Sequence, residues 1–142
     1  MFLDQKNAAE IIGKFDVVCD CTDNAETRIL IDKTCNSLSK PLIYAAVKDW
    51  EGYVTVLHYK KGISLSDVFS FESLKENTSI NCTVNGIVNT TCGIAGSIQA
   101  TEAIKIILKL DDVLDGAILC FNALNQVYKK YIINRNQGIA KC

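Results

Sequence analysis

Apolar and polar positions along this chain follow two periods. Residues 15–21 form a near-continuous apolar run that ends in acidic positions, through Val17, Val18, Cys19, Asp20 and Cys21, the pattern of a strand buried on both faces. Residues 42–47 and 53–59 repeat it after the only proline, Pro41, and after a turn at residues 49–52, which predicts a second and a third strand. Between the first two, residues 25–39 switch to the helical period, with Ile31, Cys35 and Leu38 on one face, Asn24 as N-cap, and Arg28 and Asp32 spaced to pair along the helix. Strand, helix, strand implies a parallel right-handed unit.

A short helix over residues 7–13 precedes the first strand and closes at Gly13. A long one is expected over residues 85–110, apolar on most of its circumference. Val88, Cys92, Ala95, Ala103, Ile106 and Ile107 lie on one side and Ile87, Ile94 and Ile98 on another, so the helix should be buried, against the core or a second subunit. Gly93 and Gly96 weaken it intrinsically, which implies close backbone approach there. Residues 117–121 and 127–133, joined around residues 122–125, predict a hairpin. Residues 60–82 are irregular, rich in serine and asparagine, and are expected to be a long mobile loop.

Composition narrows the class. At 142 residues and net charge -1 the chain is expected to form one domain over residues 1–142, with enough core to fold without staples. It carries no basic stripe of the kind that marks nucleic-acid binders; the basic tail after residue 129 reads as solvated surface. Most of the seven cysteines fall in apolar segments, where a free thiol behaves as a small buried hydrophobe. The first residues lack the basic and apolar regions of a secretory signal, so a reducing cytoplasmic setting is expected. No apolar run is long enough for a bilayer, because Asn89, Thr90, Thr91, Gln99, Glu102 and Lys105 interrupt the longest helix.

The chemistry concentrates after the first strand. Ligands of open α/β sheets sit at the carboxyl ends of strands, which places Asp23 where a metal-phosphate would lie, with a helix cap as its plainer role. Asp20 shares a face with Val18 and needs a partner if buried. Cys82 stands just before the long helix, where dipole and free N–H groups favour a thiolate. His58, the only histidine, could serve such a thiol as a base, but no oxyanion-hole motif accompanies it and a packed histidine is the simpler reading.

The run Asp20, Thr22, Asp23, Asn24, Thr27, Arg28 resembles the Asp-x-Thr-Asp-Asn-x-x-Thr-Arg signature of the ThiF/MoeB/HesA family, bacterial relatives of ubiquitin-activating enzymes. The resemblance continues in register through residues 40–47, 50–56, 93–105 and 116–124. It implies a Rossmann-like mixed sheet, parallel strands plus a C-terminal antiparallel hairpin. It also implies ATP and magnesium as cofactors, and a ubiquitin-fold sulfur-carrier protein ending in Gly-Gly as partner, activated at its C-terminal glycine for thiamin- or molybdopterin-type biosynthesis. Asp23 matches the magnesium-associated aspartate, Asn24 and Arg28 are secondary nucleotide-site candidates, and Cys82 matches a cysteine that forms a thiol adduct with the carrier in some members.

Two departures qualify this. Paired Cys-x-x-Cys motifs that hold zinc in many members have no counterpart here, so no zinc site can be assembled from these spacings. The family's nucleotide-binding half, with its Gly-x-Gly-x-x-Gly turn, is absent, since Gly93 and Gly96 do not follow a strand. The chain therefore reads as the C-terminal part of an adenylating domain and as a homodimer, either a shortened piece of a longer chain or one part of a split enzyme whose other polypeptide would bring the glycine-rich loop, and inactive by itself. The alternative is a non-catalytic module for dimerisation and carrier docking. A dinucleotide oxidoreductase would need the same absent turn.

Overall fold

The structure, a computed structural model, describes residues 2–69 and 87–134. In chain order the elements are α1 (Ala8–Gly13), β1 (Val18–Asp20), α2 (Ala25–Ser37), β2 (Leu42–Lys48), β3 (Glu51–Leu57), α3 (Leu65–Val68), α4 (Asn89–Ile107), β4 (Ala117–Asn122) and β5 (Val127–Ile132). The strands form one sheet in the order β1-β2-β3-β4-β5. β1 pairs parallel with β2, Val18 opposite Leu42, and the remaining pairings are antiparallel. The parallel part of the sheet is thus a single pair among the described residues, because β3 turns straight back on β2.

That reversal takes two residues. Lys48 pairs with Glu51, and Asp49 at the corner has φ +52, the left-handed geometry that suits the right-handed twist of the flanking strands. Gly52, expected in this turn, lies inside β3 opposite Phe121. A Cβ at Gly52 would stand 2.4 Å from the Phe121 ring, so the glycine makes room for an aromatic rather than for a bend.

The sheet is covered on both faces, which explains why β2 is almost continuously apolar. Leu42 and Tyr44 face a core with Ile31 and Cys35 of α2 and Leu65 and Val68 of α3. Ile43 and Ala45 face the other core, with Ala95 and Ile106 of α4. β5 closes one edge and is exposed along nearly its whole length.

Several expectations are corrected at this level. The first strand is shorter than residues 15–21, with Phe15 57% exposed. Residues 60–69 are anchored, with Ile63, Leu65 and Val68 in the core and a capping box at Ser64 and Asp67; residues 70–82 of the expected loop lie outside the described residues. The buried stripe of α4 is Thr91, Ala95, Gln99, Glu102 and Ile106, while Ile104, Ile107 and Leu108 are exposed. No chain atom approaches a Cβ built at Gly93 or Gly96 within 4 Å, so the close approach expected there is not made by the described residues. Arg28 and Asp32 do not pair, because each has a nonlocal partner that is better placed.

Candidate functional site

At the carboxyl ends of β1 and β2 the sheet opens into a crevice of about 700 Å³, lined among others by Asp20, Thr22, Asp23, Arg28, Tyr44 and Gln99. It extends across β3 to Lys129 and Tyr131 of β5. The β1–α2 turn forms its acidic end. Asn24, in extended conformation, caps α2 by accepting the Thr27 N–H at Oδ1, 2.8 Å away, which satisfies one of the helix's free donors. The capping role weighed for Asp23 therefore falls to its neighbour. Asp23 is exposed, lines the crevice and has no hydrogen-bond partner among the described residues.

The turn that presents Asp23 is held by three groups. Asp20 is fully buried, and its Oδ1 accepts both the Thr22 N–H at 2.8 Å and the Thr22 hydroxyl at 2.7 Å. Arg28 donates Nε and Nη2 to the Thr22 carbonyl at 3.1 and 2.5 Å, and Nη1 to the Tyr44 hydroxyl at 2.6 Å. Its guanidinium also lies over the Tyr44 ring, 5.1 Å from the centroid. Burial opposes the Arg28 charge, but the Tyr44 phenol and the Asp20 carboxylate outweigh it and raise its pKa. Burial likewise raises the Tyr44 phenol, so both partners keep their protons. Arg28 is thus a turn clamp whose donors are largely committed.

Gln99 is the residue that sequence reasoning missed. It is buried on α4, and its Nε2 donates to the carbonyls of Asp20 at 2.8 Å and Ile43 at 3.1 Å, joining the carboxyl ends of the two parallel strands. Its Oε1 accepts from the Cys21 thiol at 3.5 Å. The available signal was the helical spacing of Thr91, Ala95, Gln99, Glu102 and Ile106, a stripe of mixed polarity that the search for an apolar face passed over. Glu102 works the same way further along α4. Its Oε1 meets Lys105 Nζ at 2.6 Å and its Oε2 accepts the Leu114 N–H at 2.8 Å.

The other candidates do not join this crevice. His58 is buried, with Nε2 2.7 Å from Asp32 Oδ1, and Asp32 Oδ1 also accepts the Leu65 N–H. Asp32 therefore ties α2 both to the start of α3 and to His58, which is a packed residue. Cys82 lies outside the described residues. Among the described residues the expectation of buried free thiols holds for Cys35, since Cys19, Cys21 and Cys92 are exposed; β1 is short and at the edge of the described sheet, and Cys21 and Cys92 line the crevice. Cys120, on β4, is disulfide-bonded, so it too departs from that reading. No group of three or more histidine, cysteine, aspartate or glutamate side chains suited to a metal occurs among the described residues, and no described helix is long and apolar enough to cross a membrane.

Comparison with known proteins places this geometry. The pattern of the ThiF family matches residues 1–139. The chain is 38% identical over 133 residues to a probable molybdopterin-synthase adenylyltransferase of Pyropia yezoensis, covering 93% of this chain and 35% of that protein. It is 38% identical over 141 residues to the adenylyltransferase and sulfurtransferase MOCS3 of Xenopus laevis, covering 99% of this chain and 31% of that one. The chain therefore spans about a third of the length of these relatives. The crystal structure of selenomethionine PaaA superposes with a TM-score of 0.63 at 13% identity, over 92% of this chain and 46% of that one, which shows a shared fold.

Proposed function

Because the chain belongs to the ThiF family, whose pattern it matches over residues 1–139, we propose that it forms part of an ATP-dependent adenylyltransferase. Its substrate in this reading is the C-terminal glycine carboxylate of a ubiquitin-fold sulfur carrier ending in Gly-Gly, and the names of its relatives favour the carrier of molybdopterin synthesis. The observation that carries the reading is Asp23: exposed, uncommitted, and set in a crevice at the carboxyl end of a parallel strand.

Joining a carboxylate to the α-phosphate of ATP brings two anions together, so a divalent cation near the phosphates supplies the charge compensation. The donor set fits magnesium. Asp23 offers a free carboxylate, and Asp20 Oδ2 is a buried oxygen without a hydrogen-bond partner. Magnesium takes few protein ligands and completes its shell with water and substrate phosphates, which agrees with the one free, exposed carboxylate that Asp23 presents. The protein's own part is to hold Asp23 through the Asp20, Thr22 and Arg28 contacts, and to wall the crevice with Tyr44, Ala95 and Gln99.

The remaining nucleotide contacts we assign to residues upstream of this segment. Asn24 and Arg28 then act on the nucleotide through the turn they fix rather than by touching phosphate. Cys82 is proposed to form the adduct with the activated carrier. A second copy of the chain would cover the exposed Ile104 and Ile107 of α4 and the adjoining Leu108. The free thiols Cys19, Cys21, Cys35 and Cys92 support a cytoplasmic setting, and the bonded Cys120 speaks against it. Calorimetric titration with ATP and magnesium, in the presence of the polypeptide encoded immediately upstream, tests the reading. Binding that disappears in Asp23→Ala supports it, and binding of equal strength in that variant overturns it.

A further inference from the structure

We infer that Lys129 is a specificity-determining residue for the carrier's tail, selecting an acidic side chain about five or six residues before the terminal glycine. This role rests on the adenylation reading above and adds to it a requirement on the sequence of the substrate. Ala46 of β2 stands opposite Tyr53 of β3, Tyr53 opposite Cys120 of β4, and Cys120 opposite Lys129 of β5. Residues directly opposite share a face of the sheet, so these four form one row across it, and all four line the crevice. On the β1 side the row leads toward the turn that presents Asp23, since Ala46 lies two residues beyond Tyr44, the partner of Asp20. The crevice is thus polarised, with Asp20 and Asp23 at one end, neutral side chains along the row, and an ammonium group at the other.

Lys129 is exposed and its side chain has no hydrogen-bond or ion-pair partner among the described residues. Its neighbours do not balance it. Lys48, the other described lysine at the crevice, faces Glu51 across the β2–β3 register, and Lys130, on the opposite face of β5, pairs with Asp112. Lys129 instead faces the disulfide-bonded Cys120, which leaves its charge without an acidic neighbour on the row. A carboxylate brought over it meets a complementary charge and displaces no resident partner.

Distance sets which carboxylate this is. Four strand-to-strand steps of about 4.8 Å separate β1 from β5, or about 19 Å. The reacting glycine carboxylate belongs at the Asp23 end, where the cation compensates the phosphates. An extended peptide advances about 3.3 Å per residue, so the side chain over Lys129 lies about five or six residues before that glycine. Successive side chains of an extended segment point to opposite sides, so one of these two positions faces the floor of the crevice and the other faces away.

The experiment uses the full 142-residue chain and a series of fluorescein-labelled peptides about ten residues long, serine throughout except for a Gly-Gly end and a single glutamate moved one position at a time. Binding is read by fluorescence anisotropy at low salt. Affinity should peak, by about three- to fivefold, with the glutamate at one of the two positions five or six residues before the terminal glycine, and the peak should shrink as salt is added. Lys129→Glu should abolish that peak and create one of similar size for a peptide with lysine at the same position, a reversal that loss of structure would not give. The position is exposed, so the variant should keep its fold. A peak elsewhere, a peak that survives Lys129→Glu, or affinity independent of the glutamate overturns the proposal while leaving the adenylation reading in place. Affinity that falls as the chain is concentrated would seat a second copy on this face and overturns the proposal too. Equal binding of a series ending in Ser-Ser overturns the adenylation reading instead, and no binding by any peptide overturns both.

Discussion

Replacing Gln99 by leucine keeps its approximate volume and removes the amide that spans the ends of β1 and β2. Three hydrogen bonds are lost: the two from Nε2 to the buried carbonyls of Asp20 and Ile43, and the weaker one that Oε1 accepts from the Cys21 thiol. A net value of about 1 kcal/mol per bond, plus part of the desolvation cost of two unmet acceptors, gives roughly 2–4 kcal/mol. The apolar gain from the new leucine offsets some of this, leaving about 2 kcal/mol. With a urea slope of about 2 kcal/mol/M for a domain of this size, the unfolding midpoint should fall by about 1 M while the slope is unchanged. Urea titration followed by near-ultraviolet circular dichroism measures it. A cooperative transition displaced by less than about 0.3 M would refute the reasoning, because it would mean that the two carbonyls do not depend on this amide.

Gly52→Ala should be destabilising by about 1–3 kcal/mol, since the new methyl group meets the Phe121 ring at 2.4 Å and Val47 Cγ1 at 3.0 Å; an unchanged melting temperature would contradict it. Burial first, then Asp32 and Asp20, push the Cys35 thiol from its ordinary 9.0 up to about 12. The folded chain therefore keeps this proton where the unfolded chain loses it. The stability this contributes is whole below pH 9 and is lost as pH rises toward about 12, with a limiting slope of about 1.4 kcal/mol per pH unit. Cys35→Ala should flatten the decline between pH 9 and 11 in urea titrations, and parallel curves would count against it. Glu102→Ala leaves the Leu114 N–H and Lys105 without their carboxylate and should cost roughly 2–4 kcal/mol, read as a lowered melting temperature; a loss below about 0.5 kcal/mol would show that water replaces the carboxylate.

What could be read before folding was local. The Asn24 cap depends on residues three apart, and the strand runs and the hairpin depend on periodicity within six or seven positions. Asp23 at the mouth of the first strand followed from strand order and turn position. What could not be read was set by contacts distant in sequence. His58 meets Asp32 across 26 residues and Gln99 meets Asp20 across 79, so the residues expected to pair along α2 were drawn elsewhere. The buried stripe of α4 is polar at Gln99 and Glu102 because it faces main-chain groups that need partners, and apolar periodicity cannot report such a face. Gly52 reads as a turn in sequence; only the Phe121 ring opposite shows why a side chain is excluded.

The central claim is that Asp23 carries the cation for adenylation. Magnesium-dependent exchange of labelled pyrophosphate into ATP, with the upstream polypeptide and a Gly-Gly-ended carrier present, tests it most directly. The account predicts that Asp23→Asn lowers exchange by about a hundredfold or more, in line with the loss of a charge-stabilising group at the reacting phosphates, while unfolding in urea is unchanged. Exchange at the unmodified rate in Asp23→Asn would contradict it.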